Sequence, residues 1–436
     1  MEAQGLTNRK IFWGWYVVAG AFIITGINYG ARYCFGVFLK PMCEDLGWSR
    51  SVVSTAISLA ILTYGIGSIF SGRLLDRFAP RWIIMAGATA ASLGFVLTRF
   101  ISTPLQLYIV YGVIYGLGAS CLGGAVCTSS VGKWFMQKRG IALGITTAGI
   151  GVGTMILTPL AGIIVKYCDW QTGFTVLGIT IFVVSAAASQ FFMGRTHPER
   201  YGLLPDGATS PPGGPGNSVA NCSRQNSTHG QTLSLLLRNS RFWIIVTCFG
   251  VSYMAEMTVF VHQVAYAEEH GIGRIAAASS LGIVGIASIA GRFFFGWLSD
   301  RLPDPKHSAC LGLACMVVAM NILLFSQAIE FFYLYAGLFG FGYGSTSPLL
   351  PILTVDRFGR EISGTAYGLS TFFVAGIGGS LGPVFGGVIY DVTGSYTYAW
   401  QINLVILVFV TILILFLKPA EGKNLFTGKG IKISVN

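Results

Sequence analysis

Apolar residues run through this chain in twelve long stretches, at 13–38, 51–71, 82–99, 105–130, 140–165, 173–193, 242–267, 276–298, 308–327, 331–355, 364–390 and 400–417. Most approach or exceed the roughly 20 apolar residues that a helix needs to cross the hydrocarbon of a bilayer. Each predicts a membrane-spanning helix. Only one polar stretch between them is long: 194–241, rich in Gly, Pro, Ser and Asn, with Pro211-Pro212-Gly213-Gly214-Pro215-Gly216-Asn217 inside it. Having no apolar face to bury, it predicts a linker. It separates a six-helix unit, 1–193, from a second, 242–436.

Composition agrees with the pattern. Charged residues make up 10% of the chain, against about 25% in soluble domains. The 58 glycines fall largely inside the apolar runs, where small residues let helices approach closely in lipid. A soluble enzyme and a disordered chain are excluded, and the chain predicts an all-α, multi-pass membrane protein. The net charge of +11 does not point to nucleic acid once its distribution is counted. With the N-terminus inside, the inner segments hold 21 Lys and Arg, whereas the outer ones hold five: Lys40, Arg50, Arg99, Lys166 and Arg274. The positive-inside rule then places both termini and the linker in the cytoplasm of a cell membrane. The sequons at Asn221 and Asn226 fall on that side too. The nine cysteines show no CxxC or Cys/His spacing, so they read as small buried hydrophobes, not as metal ligands. Cys43 and Cys168 share the outer side, which leaves a pairing between them open. Met1–Lys10 leads straight into a full-length span, so no cleavable signal is expected.

The two halves repeat each other. Glu44-Asp45-Leu46-Gly47 followed by Arg50 recurs 224 residues on as Glu268-Glu269-His270-Gly271 followed by Arg274. Gly72, Asp76 and Arg77 recur at the same offset as Gly296, Asp300 and Arg301, and Gly144, Pro159 and Gly162 as Gly368, Pro383 and Gly386. A duplicated six-helix unit around one central site is the organisation expected of a transporter.

Gly72-Arg73-Leu74-Leu75-Asp76-Arg77 with Arg81 closes the second span, and Gly296-Trp297-Leu298-Ser299-Asp300-Arg301 is its copy. This resembles the GxLxDRxGR motif of the major facilitator superfamily, with Ala79-Pro80 in place of the usual glycine. A helix-end carboxylate beside cytoplasmic arginines can form a latch in one conformation and release it in the other; plain topogenic charge is the competing account. Trp134-Phe135-Met136-Gln137-Lys138-Arg139-Gly140-Ile141-Ala142-Leu143-Gly144, leading into Ala148-Gly149, is similar to a signature of the monocarboxylate transporters and their bacterial oxalate/formate relatives. Phe12-Trp13-Gly14-Trp15 resembles their helix 1 signature, with Arg9-Lys10-Ile11 where an acidic residue and glycine usually stand. The resemblance implies the twelve-helix major facilitator fold, two six-helix bundles around a central cavity.

Ionisable residues inside the spans are few: Arg32, Glu256, His262 and Arg292. A charge at membrane depth is costly and is usually aimed at a cavity or a partner. By the resemblance, Arg292 matches the helix 8 arginine that binds substrate carboxylate; the competing account is snorkelling toward the cytoplasm. Arg32 shares a polar stripe with Asn28 and Thr25, while the resemblance places a lysine at Tyr33, one residue away; interfacial anchoring is its alternative. The family's aspartate four residues before the helix 8 arginine is replaced by Ser288, so a proton would need another carrier. Glu256 and His262, 240° apart on one helix, are the candidates. Tyr343 stands where helix 10 aromatics wall the site of the resembled exchangers. Thr371-Phe372-Phe373-Val374 lacks the lysine of the oxalate exchangers, which counts against a dianion.

The function expected is secondary active transport of a small organic anion, foremost a monocarboxylate, by alternating access, with protons as the coupled ion. The alternatives are an oxalate/formate-type or drug exchanger, for which Gly382-Pro383 with Gly386-Gly387 looks antiporter-like, and a non-transporting nutrient sensor. No HExxH, Ser/His/Asp set or phosphate-cradling loop suggests an enzyme. Neither a cofactor nor a metal is expected; the partners are the carboxylate, protons and the lipid bilayer.

Overall fold

Among the described residues twelve crossings form, and eleven of them contain a helix long and apolar enough by itself to span a bilayer. The computed structural model describes residues 12–135, 139–194, 236–325, 328–358 and 363–419. The linker 195–235 lies outside the described residues, as do Met136-Gln137-Lys138 and the side chains of Gly72, Asp76 and Arg77. The crossings are α1 (Trp13–Leu46), α2 (Arg50–Arg77), α3 (Pro80–Phe100), α4 (Pro104–Gly132), α5 (Arg139–Tyr167) and α6 (Trp170–Phe192) in the first half. The second half holds α7 (Ser240–Glu269), α8 (Arg274–Arg301), α9 (Pro305–Phe325), a split tenth crossing, α11 and α12 (Thr397–Phe416). α11 runs from Ser363–Thr371 through a widened π-turn, Phe372–Gly378, into Gly379–Thr393.

Two helices depart from the apolar pattern. α1 continues eight residues past the predicted end at 38, carrying Lys40, Glu44 and Asp45. Its 34 residues rise about 50 Å, well beyond a hydrocarbon layer of about 30 Å, so its last turns stand clear of the apolar zone. The tenth crossing is two helices, α10a (Ile329–Tyr343) and α10b (Thr346–Phe358), parted at Gly344-Ser345. α4 is likewise interrupted, at Gly123, where ψ is −172°. These are corresponding crossings of the two halves. Paired interruptions of this kind mark the centre of a transporter.

The two ends of the bundle are distinct. At one, the terminal end, lie residues 12, 194, 236 and 419; at the other, the loop end, short turns join α1 to α2, α5 to α6, α7 to α8 and α11 to α12. Gly47, Gly271 and Gly394 take φ of 67°, 81° and 71° there, left-handed values that end α1, α7 and α11 and that other residues adopt only with strain. The first two are the glycines of the sequence repeat. Cys43 and Cys168 are free thiols, so the pairing left open above does not form.

Within the first half α1 packs against α5 and α6, and α3 against α6; within the second, α8 and α9 hold α10a, and α7 packs on α11 and α12. Between the halves three seams form: α5 against α8, α2 against α11, and α1 against α7. Exchanging the halves turns the first seam into the second and returns the third to itself, as a pseudo-two-fold requires. Toward the terminal end, the last part of α4 and the whole of α10b pack mainly within their own halves.

One ion pair at the terminal end was not foreseen. Arg357, at the end of α10b, reaches both carboxylate oxygens of Asp304 at 2.7 Å, and it also contacts Asp356. Asp304 accepts from the Lys306 N–H at 2.9 Å at the start of α9. Burial opposes ionisation of Asp304, but the Arg357 Nη2 donor, shared by both oxygens, and the Lys306 amide outweigh it and hold its carboxyl below the usual carboxylate range. A depressed carboxyl contributes stability above its unfolded pKa and loses it as pH falls through the folded one. Asp304→Asn is therefore expected to lower the melting temperature at pH 7. Its deficit against wild type should close as pH drops below about 4, the ordinary aspartate range, followed by thermal melts in detergent.

Candidate functional site

The polar side chains at mid-depth are carried by α1, α2, α4, α7, α8 and α10. α1 is pinned by glycine contacts with α5: a Cβ on Gly30 would lie 2.7 Å from the Gly153 carbonyl. Arg32 stands two residues beyond Gly30, about 200° round the helix, so it points away from α5. Its guanidinium lies over the rings of Tyr64 at 4.2 Å and Tyr29 at 4.9 Å, stacking that suits a planar cation. The residue is 3% exposed, and among the described residues no carboxylate pairs with it. Asn28 donates to the Ala119 carbonyl of α4 at 3.2 Å and leaves its own oxygen unpartnered. Tyr29 and Tyr64 share a hydroxyl contact of 3.0 Å.

The second half supplies Glu256, Arg292 and Tyr343. Arg292 crosses the α5–α8 seam to donate from Nη1 to the Thr147 carbonyl, and its Nε has no partner. Its guanidinium carbon is 5.9 Å from the Tyr343 ring centroid. The break in the tenth crossing lies directly on this turn of α8: a Cβ on Gly344 would sit 2.5 Å from the Ser288 carbonyl and 2.8 Å from the Arg292 amide. Ser288 turns inward along its own helix, donating to the Gly285 carbonyl at 2.7 Å. Glu256 is fully buried, and neither carboxylate oxygen makes a hydrogen bond. Its polar neighbours are Thr346, at the start of α10b, and Arg292.

An aromatic plug joins the two groups. Tyr33 and Tyr343 meet through their hydroxyls at 3.1 Å, Tyr33 stacks on Phe260 with centroids 4.0 Å apart, and Phe260 meets the Tyr343 ring edge-on at 5.2 Å. Beyond the plug the loop end is tied shut. Arg50 pairs with Glu269 and donates to the Tyr396 hydroxyl at 2.6 Å, and its guanidinium stacks on Tyr390 at 3.6 Å. Asp391 accepts from the backbone N–H groups of Arg50 and Ser51 at 2.9 and 2.8 Å. Lys40 reaches Glu268 across the α1–α7 seam at 3.6 Å.

His262 belongs to this closure and not to the central group. The Pro383 carbonyl, 2.8 Å from Nε2, can only accept, so Nε2 donates and Nδ1 accepts from Tyr396 at 3.0 Å. Both of its nitrogens are thus engaged in hydrogen bonds. The latch residues are described only in part. Gly72, Asp76 and Arg77 fall on side chains outside the described ones. Arg81 lies 5.1 Å over the Trp82 ring and Arg301 4.4 Å over Trp297, while Asp300 is exposed and in none of the described ion pairs. The carboxylate in use there is Asp304.

Of the residues singled out in the sequence, the fold thus brings Glu256, Arg292 and Tyr343 together, sets Arg32 and Asn28 on the facing half, and places His262 against Tyr396 and Pro383. Tyr29, Tyr33, Tyr64, Phe260 and Thr346 were missed. The i, i+4 spacing of Tyr29 and Tyr33 around Arg32 was the signal available.

Residues 21–383 match the sequence profile of the Major Facilitator Superfamily. The chain is 28% identical over 408 residues to monocarboxylate transporter 12-B of Danio rerio, covering 88% of this chain and 83% of that one. It is 26% identical to human monocarboxylate transporter 12 over 436 residues, covering 93% and 80%, and 26% identical to human monocarboxylate transporter 2 over 393 residues, covering 89% and 82%. Among solved structures, a bacterial homolog of the human lysosomal transporter Spinster, inward-facing and unoccupied, superposes with a TM-score of 0.69 at 14% identity, covering 95% of this chain and 96% of that one.

Proposed function

We propose that this chain, which belongs to the major facilitator superfamily, is a secondary transporter of small monocarboxylates that works by alternating access between its two halves. The observation that carries the substrate class is Arg32: a buried guanidinium at mid-depth, held by two tyrosine rings and by no carboxylate. A buried cation without a counter-ion is costly. A carboxylate ligand supplies the missing charge and fits the flat donor fork. With Glu256 ionised beside Arg292, the group as a whole is left with one positive charge, which one carboxylate neutralises. The unpartnered Nε of Arg292 and oxygen of Asn28 are polar groups free to meet the rest of the ligand. The resemblance of the chain to named monocarboxylate transporters supports the same class. Two units, 1–193 and 242–436, joined by the linker 194–241, are the moving bodies, and the loop end, tied shut here, is the outer side of a cell membrane.

Proton coupling is assigned to Glu256, the carboxylate beside Arg292 that engages no hydrogen-bond partner. Proteoliposomes offered a panel of labelled monocarboxylates, with and without an inward proton gradient, test both statements. Saturable uptake of at least one member is expected, accelerated by the gradient. Glu256→Gln should retain exchange of internal for external substrate and lose the acceleration. Uptake by wild type that ignores the gradient would remove the proton from the mechanism and leave an exchanger.

A further inference from the structure

The loop end carries a pocket of about 700 Å³ that takes no part in the central site. It opens over the α5–α8 seam, with Lys40 from α1, Lys166 from the last turn of α5, Glu268 from α7, Arg274 from the start of α8 and Tyr333 from α10a among its walls. Three cations face one carboxylate. Glu268 is already shared: the Arg274 fork takes both of its oxygens at 2.8 and 3.1 Å, and Lys40 approaches at 3.6 Å. Lys166 pairs with no carboxylate among the described residues and only lies 5.2 Å over the Tyr167 ring. Lys40 also lies 4.0 Å from Glu44, one turn farther along α1, so the pocket is left one positive charge in excess, on Lys166, between walls contributed by both halves of the protein.

We propose that this pocket is a reception site for carboxylate anions at the loop end, where Lys166, aided by Lys40, holds the anion before the seam opens; this step rests on the monocarboxylate reading above. A cleft walled by one sign of charge concentrates counter-ions and raises association rates by ten to a thousandfold, an effect that salt screens. An anion that engages Lys40 also competes with Glu268 for it, loosening one tie of the α1–α7 seam. Lys166 is the position to test, because its removal breaks none of the described ion pairs.

In oriented proteoliposomes of neutral lipid at low ionic strength, Lys166→Gln is expected to raise KM about three- to tenfold for substrate added at the loop end. Its kcat and its KM from the terminal end should match wild type. Lys166→Arg should restore the low KM, and the difference between wild type and Lys166→Gln should fade toward 1 M salt, where the screening length falls to about 3 Å. An unchanged KM, or one raised equally from both sides, overturns the proposal. The same carboxylate-like chemistry is offered by the phosphate of an anionic lipid. If uptake instead requires anionic lipid, and Lys166→Gln abolishes that requirement with KM in neutral lipid unmoved, the pocket holds a headgroup and the proposal is again overturned. Failure of wild type to take up any monocarboxylate would sink the substrate class itself, and this step with it.

Discussion

Arg32→Gln and Arg292→Gln are each expected to lower monocarboxylate uptake by about a hundredfold to a thousandfold, with the protein still inserted and monodisperse in detergent. Truncating one member of a buried, hydrogen-bonded charge pair costs about 2–5 kcal/mol, and each 1.4 kcal/mol is tenfold. The pair in question exists only when substrate is bound, so the loss falls on transport more than on folding. Lysine at either position keeps the charge but not the planar fork or its stacking, and should recover only a small part of the activity. The two sites should differ in stability. Arg32 has no anionic partner to abandon, so Arg32→Gln leaves the fold untouched or slightly more stable. Arg292→Gln leaves Glu256 without its neighbouring cation, and adding Glu256→Gln should restore the melting temperature without restoring uptake. Wild-type uptake by Arg292→Ala would remove that residue from the binding site.

The second large effect is expected at Gly153. A Cβ there would lie 1.9 Å from the Gly26 carbonyl, against backbone that has nowhere to go. The same contact runs along the α1–α5 interface through Gly149, whose Cβ would lie 2.3 Å from the Phe22 carbonyl. Overpacking a close-packed interface usually costs about 1–3 kcal/mol, and more where backbone rather than side chain must yield. Gly153→Leu should therefore prevent the first six helices from assembling, seen as loss of monodisperse protein. Gly337→Ala, whose Cβ would first meet the tip of Ile283 at 3.9 Å, is the control expected to behave as wild type. Normal yield and melting of Gly153→Leu would mean that α1 and α5 do not pack as described.

The crossings, their pairing into halves and the identity of the membrane-depth charges were all legible in the sequence. Length, apolar content and a constant offset carry that information locally. What could not be read is which of those charges meet. Glu256 and His262 lie six residues apart on α7, yet one neighbours Arg292 of α8 and Thr346 of α10b while the other meets Tyr396 and Pro383 of α11, because these elements pack on different sides of the same helix. The break at Gly344-Ser345, by contrast, is marked in the sequence: Gly344-Ser345-Thr346-Ser347-Pro348 interrupts the run 331–355, and there Gly344 abuts the Arg292 turn of α8. The latch was read from a motif, and three residues beyond its second copy Asp304 pairs with Arg357, a contact between α10b and the α8–α9 turn that no local pattern announces. The tyrosines around Arg32 escaped notice because an aromatic in a membrane helix is ordinarily core packing.

Arg32, the mid-depth cation of α1, has an electrical consequence. An empty carrier that turns its site from one side of the membrane to the other moves Arg32 through part of the transmembrane field without a compensating charge. A full elementary charge crossing 100 mV is worth about 2.3 kcal/mol, so even a fraction of that passage biases the return step. Once a carboxylate sits on the guanidinium with Glu256 ionised, the moving site is neutral and the voltage loses its hold. Exchange of one anion for another would then run indifferent to membrane potential, while net flux, which needs the empty carrier to return, would feel it.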